Sequence, residues 1–268
     1  THAVIMVNIY LFQQGLNINK VNKFLHLTLF KFVPIGTLSC AARFGNIKCI
    51  KYAFKKTKNP YKDILSDAVA SGIIKCLKYA YLVIKATDVE NETLKNAALS
   101  GSIECLKYAH EIIQAKDINN WTLCYAANSG NLKCLKYAHE IIQAKDVHYK
   151  TLEKSALSGN LECLIYAYNI ICKKMSYNHK FTLKNAARSG SIECLIYAHE
   201  IIQAKDIHNQ TLKNAALSGN LECLKYAHEI IQAIHIQKPA PSLTIQSQNK
   251  ECHAYCQNVI CNTENYNA

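Results

Sequence analysis

The sequence predicts an all-α fold, a solenoid of stacked helix-turn-helix pairs, and three observations predict it. First, the 29 residues 93–121, TLKNAALSGSIECLKYAHEIIQAKDINNW, recur as near copies. The copies begin at Thr37, Ile64, Thr93, Thr122, Thr151, Thr182 and Thr211, in steps of 27, 29, 29, 29, 31 and 29 residues. Second, a glycine falls at one fixed place in every copy. Third, the apolar residues around it follow the 3.6-residue period of two helices and not the alternation of strands. A unit this short cannot bury its apolar face alone, so successive units must stack. Residues 37–232 are therefore read as about seven repeats of one elongated body.

Within the unit, residues 94–100 make a short helix with Leu94, Ala97 and Ala98 on one face and Thr93 at the expected N-cap. Gly101 ends it, because glycine enters the left-handed conformation without a side-chain penalty. Ser102, or Asn131, Asn160 and Asn220 in other copies, is a fresh N-cap. The second helix sets Cys105, Leu106, Ala109, Ile112 and Ile113 on one arc, with Glu104, Lys107, Glu111 and Gln114 opposite. A polar link, residues 116–121, leads to the next unit.

The pattern T-L-x-x-A-A-x-S-G-x-[IL]-x-C-L-K-Y-A resembles the ankyrin repeat, T-P-L-H-x-A-A-x-x-G-H-x-x-[IV]-V-x-x-L-L. It is similar in particular to the C-L-K-Y-A-H-E ankyrin-like arrays of giant DNA viruses of amoebae. The Pro and His of T-P-L-H are missing and the step is 29 residues, not 33, with no G-A-D-V-N segment. The resemblance thus implies an ankyrin-like solenoid with its β-hairpin fingers reduced or absent. It also implies a concave side lined by first helices and links, where such proteins bind partners, and a partner that is a host protein if the viral likeness holds.

The flanks do not follow the repeat. Residues 1–36 are read as capping helices or a degenerate repeat. Their apolar run, residues 3–12, is too short to span a bilayer and lacks the basic region and cleavage site of a secretory signal. Residues 233–268, with Pro239, Pro241 and a Ser/Gln-rich run, are read as a flexible tail. The net charge of +12 is uneven. Residues 1–92 carry 13 Lys and Arg against 5 Asp and Glu, and residues 93–232 carry 16 against 12. Lys55, Lys56, Lys58 and Lys62 form the densest basic patch. It suits nucleic acid or an acidic protein, or is simply a solvated loop.

Three ladders run at the repeat step. Cys49, Cys76, Cys105, Cys134, Cys163, Cys194 and Cys223 occupy one position of the second helix, where a free cysteine acts as a small buried hydrophobe. Helices in such a stack lie about 10 Å apart, too far for a disulfide. An odd total of 13 cysteines so distributed indicates a reducing, cytoplasmic setting. His110, His139, His199 and His228, replaced by Tyr81 and Tyr168 in two units, sit at the edge of the apolar arc. Tyr52, Tyr79, Tyr108, Tyr137, Tyr166, Tyr197 and Tyr226 form the third ladder. They are read as edge packing, with base stacking as the functional alternative. In the tail, Cys252, His253, Cys256 and Cys261 are crowded into ten residues, unlike the two spaced pairs of a structural zinc site. Sequons such as Asn91-Glu92-Thr93 arise because each unit begins with threonine.

No nucleophile with its base, no phosphate-cradling glycine loop and no carboxylate pair stands apart from the repeat, so no enzyme, cofactor or metal site is expected. Comparison of the copies shows instead where the fold leaves freedom: the two residues after T-L, the residue after A-A, and the links. The predicted contact surface is Lys95, Asn96, Trp121, Tyr125, Asn128, Tyr149, Lys154, Lys184 and Arg188, with the aromatics taken as exposed anchors. The expected function is a non-enzymatic scaffold or adaptor binding another protein, without membrane contact. The alternative is a helical-repeat nucleic-acid binder using the tyrosine ladder and the basic N-terminal third.

Overall fold

In a computed structural model of the chain, the structure describes residues 37–57, 63–88, 90–146, 150–172, 181–206, 210–233 and 249–257. The chain divides into two compact units, Thr1–Asn119 and Asn120–Ala268. Among the described residues the regular structure is helical throughout, with no strand. The expectations for residues 1–36, for 234–248 and 258–268 of the tail, and for Lys58, Lys62 and Tyr149 lie outside the described residues.

The first unit holds α1 (Thr37–Arg43), α2 (Ile47–Thr57), α3 (Ile64–Ala70), α4 (Ile74–Leu82), α5 (Thr93–Leu99) and α6 (Ile103–Lys107), which runs on as a π turn, Tyr108–Ile112. The second holds α7 (Thr122–Asn128), α8 (Leu132–Glu140), α9 (Thr151–Ser158), α10 (Leu161–Cys172), α11 (Thr182–Ser189), α12 (Ile192–Ile196), α13 (Thr211–Ser218), α14 (Leu221–Lys225) and α15 (Lys250–Tyr255). Here α12 and α14 continue as π turns, Tyr197–Ile201 and Tyr226–Ile230. In the first unit α1 packs on α3 and α3 on α5, while α2, α4 and α6 follow one another in the same way. In the second unit α7, α9, α11 and α13 form one such row, and α8, α10, α12, α14 and α15 the other.

The sequence explains this packing. Ala97 and Ala98 on α5, Cys105, Leu106 and Ala109 across α6 and its π turn, and their counterparts in other pairs except the half-buried Cys49, have no solvent exposure or almost none. Alanines on the first helix let its neighbour approach closely, and the Cys-Leu pair fills the space between the rows. The second unit's core runs without a break from Leu152 through Ala187, Leu195 and Leu224 to Cys252 and Cys256. Each pair thus buries the face of the pair before it.

The turn between the two helices is built from three residues. Gly45, Gly72, Gly101, Gly130, Gly159, Gly190 and Gly219 all take the left-handed conformation, with φ between +69° and +74°. At the first pair Gly45 N–H donates to Ala42 O and Asn46 N–H to Ala41 O, both at 3.0 Å, the double bond that closes a Schellman motif. The serine before the glycine adds a second clasp. Ser129 Oγ donates to Ala126 O at 2.7 Å and accepts from Asn131 N–H at 3.2 Å. The next residue then caps the second helix as expected, Asn131 Oδ1 accepting from Cys134 N–H and Ser102 Oγ from Cys105 N–H.

Three expectations change. Thr93 is not the N-cap but the first residue inside α5, fully buried. The capping acceptor is the aspartate of the link. Asp88 Oδ1 accepts from Glu92 and Thr93 N–H at 3.1 and 3.2 Å, and Asp206 serves Gln210 and Thr211 in the same way. A carboxylate there also answers the positive end of the helix dipole. Ile112 is not on the buried arc either. The π turn lets Ile113 N–H reach back five residues to Tyr108 O, which rotates Ile112 into solvent. Its counterparts Ile141, Ile201 and Ile230 are 58%, 56% and 57% exposed. The residue that ends the second helix, Gln114, Gln143, Gln203 or Gln232, then takes a positive φ.

The third change concerns the tail. Residues 249–255, NKECHAY, repeat residues 220–226, NLECLKY, at the 29-residue step, and they fold as α15 against α14. Asn249 Nδ2 donates to Gly219 O at 2.8 Å, as Asn220 Nδ2 donates to Gly190 O at 3.0 Å. Cys252 and Cys256 are buried in the core, so packing accounts for two of the four tail residues considered as zinc ligands. Among the described residues no group of three or more His, Cys, Asp or Glu is arranged to hold a metal ion.

Substituting Gly130 by alanine tests the turn. A Cβ there meets only Ser158 and Asn160 at ordinary contact distances of 3.5–3.7 Å, so the cost is that of the backbone conformation. We expect Gly130→Ala to destabilise the chain by about 1–2 kcal/mol, read as a lower urea midpoint at unchanged slope.

Candidate binding surface

In the second unit the second helices carry a polar ladder that ties one pair to the next at three steps. Tyr166 Oη donates to Glu140 Oε1 at 2.8 Å and stands 2.8 Å from His139 Nδ1. Tyr226 meets Glu200 and His199 in the same way, at 2.9 and 3.1 Å, and Tyr255 meets Glu229 and His228, at 2.6 and 3.1 Å. A phenol has one proton. With that proton given to the carboxylate, the histidine must present Nδ1–H as donor to the phenol oxygen. In units where tyrosine replaces histidine, the rings meet edge to face instead: Tyr81 on Tyr108 at 6.1 Å and Tyr168 on Tyr197 at 6.2 Å. Lysines of the preceding pair lie over several ring faces, among them Lys78 over Tyr108 and Lys136 over Tyr166, both 5.6 Å from the centroid.

Burial, and then the hydrogen bond and charge of the glutamate, push the Tyr166 and Tyr226 phenols up to about 12. Tyr166 is therefore held from the edge, the face and the hydroxyl at once.

The first helices present a different surface. In the second unit the residue before each threonine lines one edge of this row: Trp121, Lys150, Phe181 and Gln210. Trp121 and Tyr125 pack with ring centroids 5.9 Å apart, and Lys150 Nζ lies 4.9 Å from the indole centroid. Lys184 Nζ sits 4.3 Å from the Phe181 ring and donates to Gln210 Oε1 at 3.1 Å. Between these two aromatic groups stands Glu153. Burial holds its carboxyl above the usual range, against the opposing pull of Lys150, Lys184 and Lys154.

Six of the nine predicted contact residues, Trp121, Tyr125, Asn128, Lys154, Lys184 and Arg188, belong to this one row of adjacent first helices or its edge. Trp121 and Tyr125 prove half-buried and not exposed, because each covers the other. Arg188 is exposed and Asn128 half-buried at the ends of α11 and α7. Lys95 and Asn96 lie in the other compact unit. Their roles there are local. Lys95 pairs with Glu92, and Asn96 Nδ2 donates to Ser66 Oγ at 2.6 Å.

Asn96 belongs to a small class of interactions that comparison of the copies did not reveal. The second residue after T-L reaches back to the first helix before it. Asp67, 3% exposed, accepts from Ser39 and from both Nε and Nη2 of Arg43, and Asn185 Nδ2 donates to Glu153 O at 3.2 Å. Variation at this position is partly the fold's own doing. Conversely, Lys150, Glu153 and Phe181 join the surface although they were not singled out. The signal was present in the residue before each threonine, which reads Glu92, Trp121, Lys150, Phe181 and Gln210 and never repeats.

No protein-family model matches the chain, and a search of curated proteins finds none similar to it. Among the described residues no helix is long and apolar enough to cross a membrane.

The phenol ladder yields a pH signature. A phenol whose folded value is raised above its ordinary value near 10 contributes stability that is fully present below pH 10. That contribution is lost as pH rises toward 12, the folded value of Tyr166 and Tyr226. Chemical denaturation from pH 8 to 11.5 should show stability falling above pH 10. The fall should be shallower in a Tyr166→Phe, Tyr226→Phe double variant, which should also be less stable at pH 8 by about 1–3 kcal/mol for the lost hydrogen bonds.

Proposed function

We propose that this chain is a non-enzymatic scaffold or adaptor, an ankyrin-like α-solenoid that binds another protein along its row of first helices. The observation that carries this reading is the cluster of Trp121, Tyr125 and Lys150, continued by Glu153, Lys184 and Phe181 on the adjoining helices. Tryptophan and tyrosine are among the residue types that dominate interface energies. They stand on helices fixed by their neighbours, so little ordering entropy is lost on binding.

The rest of the chain supports the same reading by what it engages elsewhere. The described cysteines are all free, and those of the ladder are buried or half-buried. Burial raises the thiols of Cys76, Cys163 and Cys223 to about 11, which suits packing and a reducing compartment and not nucleophilic chemistry. The nucleic-acid alternative is less well supported. Tyr166 and Tyr226 of its ladder donate to carboxylates, and Arg43 of its basic third is paired with Asp67.

The test is affinity capture from a cell lysate with the intact chain and with a Trp121→Ala, Tyr125→Ala, Arg188→Ala variant, before and after nuclease treatment. We expect a discrete protein, insensitive to nuclease, that the variant fails to retain. Recovery of nuclease-sensitive material by both chains would favour the nucleic-acid reading instead.

A further inference from the structure

The two rows of helices in the second unit carry opposite charge. The first helices and the residues that precede them hold Lys150, Lys154, Lys184, Arg188 and Lys213 against Glu153 alone, a balance of +4. The second helices with their π turns hold seven glutamates against Lys133, Lys136, Lys225 and Lys250, a balance of −3. Packing does not require the cations, while of the carboxylates it uses Glu140, Glu200 and Glu229 in the phenol ladder. The cations are exposed or half-buried and the carboxylates Glu140, Glu162, Glu193 and Glu200 are exposed. In the first unit the corresponding row has no such excess, since Arg43 and Lys95 are matched by Asp67 and Glu92.

The cations of the first row are also spaced. From α9 to α13 they arrive once or twice per helix, and packed helices lie about 8–10 Å apart. A nucleic-acid strand offers negative charge far more densely than that, and Glu153 stands among the lysines, where a continuous run of phosphates would face it. A polyproline-II segment fits better. It has three residues per turn and rises about 3.1 Å per residue, so every third side chain returns to one face after about 9 Å. Aromatic surfaces such as Trp121 with Tyr125, and Phe181, are what proline-rich segments of this conformation dock against.

We propose that the first-helix row of residues 120–218 recognises an acidic polyproline-II segment of a partner protein, one carboxylate in every three residues, in register with successive helices. The proposal rests on the reading of this row as the binding surface and names what it binds. The carboxylates face Lys150 or Lys154, Lys184 or Arg188, and Lys213 on successive helices, and the residues between them lie over Trp121 and Phe181.

The chain has a single tryptophan, Trp121, so its emission reports on this site alone. The experiment titrates the full chain with a peptide of about four Glu-Pro-Pro triplets, with an isomer of identical composition whose glutamates are grouped at one end, and with oligothymidylate of equal charge. We expect the triplet peptide to shift Trp121 emission and to bind about tenfold tighter than the grouped isomer. We expect Lys154→Gln with Lys184→Gln to weaken it about four- to twentyfold, since each exposed charge pair is worth at most a few-fold. Circular dichroism confirms that the double variant is folded. Equal binding of the two peptides would overturn the register. Tighter binding of oligothymidylate would overturn the peptide in favour of nucleic acid, and self-association that blocks the peptide would make a second copy the occupant. A silent peptide, while lysate capture still depends on Trp121, Tyr125 and Arg188, would overturn this proposal and leave the adaptor reading standing. Loss of that dependence would remove both.

Discussion

Everything in this protein depends on the inability of one helix pair to bury its own apolar face. A pair contributes two short helices, and in the second unit Leu183, Ala186 and Ala187 or Cys194, Leu195 and Ala198 reach zero or near-zero exposure within a core that runs through the neighbouring pairs. Burial of apolar surface is the main favourable term available to such a chain, and here most of it is created between pairs and not within them. The alanines matter as much as the leucines. Small side chains on the first helix set how closely the next helix approaches, and that distance fixes the spacing of every other feature along the row.

Polar groups then divide into two kinds. Some close the unit: Ser129 and its counterparts bridge the turn around the glycine, Asn131 caps the second helix, and Asp88 caps the first helix after it. Others stitch one pair to the next. The Tyr166, His139 and Glu140 set does so on the second helices, and Asp67, Asn96 and Asn185 do so on the first. On the second helices one His-Tyr-Glu set recurs at three steps and a Tyr-Tyr edge contact at two others, whereas on the first helices each described step uses a different set of groups. That difference separates a surface constrained by its own architecture from one with latitude to carry specificity.

The charge partition follows the same line. Carboxylates of the second row serve the phenol ladder, so their number is partly set by the fold. The cations of the first row, apart from Lys150 over Trp121 and Lys184 over Phe181, serve no described internal contact that would demand them.

The sequence by itself determined the repeat, the helical class, the glycine turn and the caps of the second helices, because these follow from spacing and from local backbone chemistry. A glycine seven times in register and an Asn or Ser after it leave little choice of conformation. Tertiary structure decided the rest. Whether Thr93 caps or is buried depends on where Asp88 reaches. Whether Ile112 faces the core depends on a π turn whose register no periodicity of 3.6 foretells. The repeat hidden in residues 249–256 was masked because His253, Ala254 and Cys256 replace the usual leucine, lysine and alanine while the buried cysteine and the tyrosine remain. The pairing of Trp121 with Lys150, and of Tyr166 with His139, joins residues 29 and 27 apart in sequence. Such contacts exist only once two pairs are stacked, since each pair supplies half of every such contact.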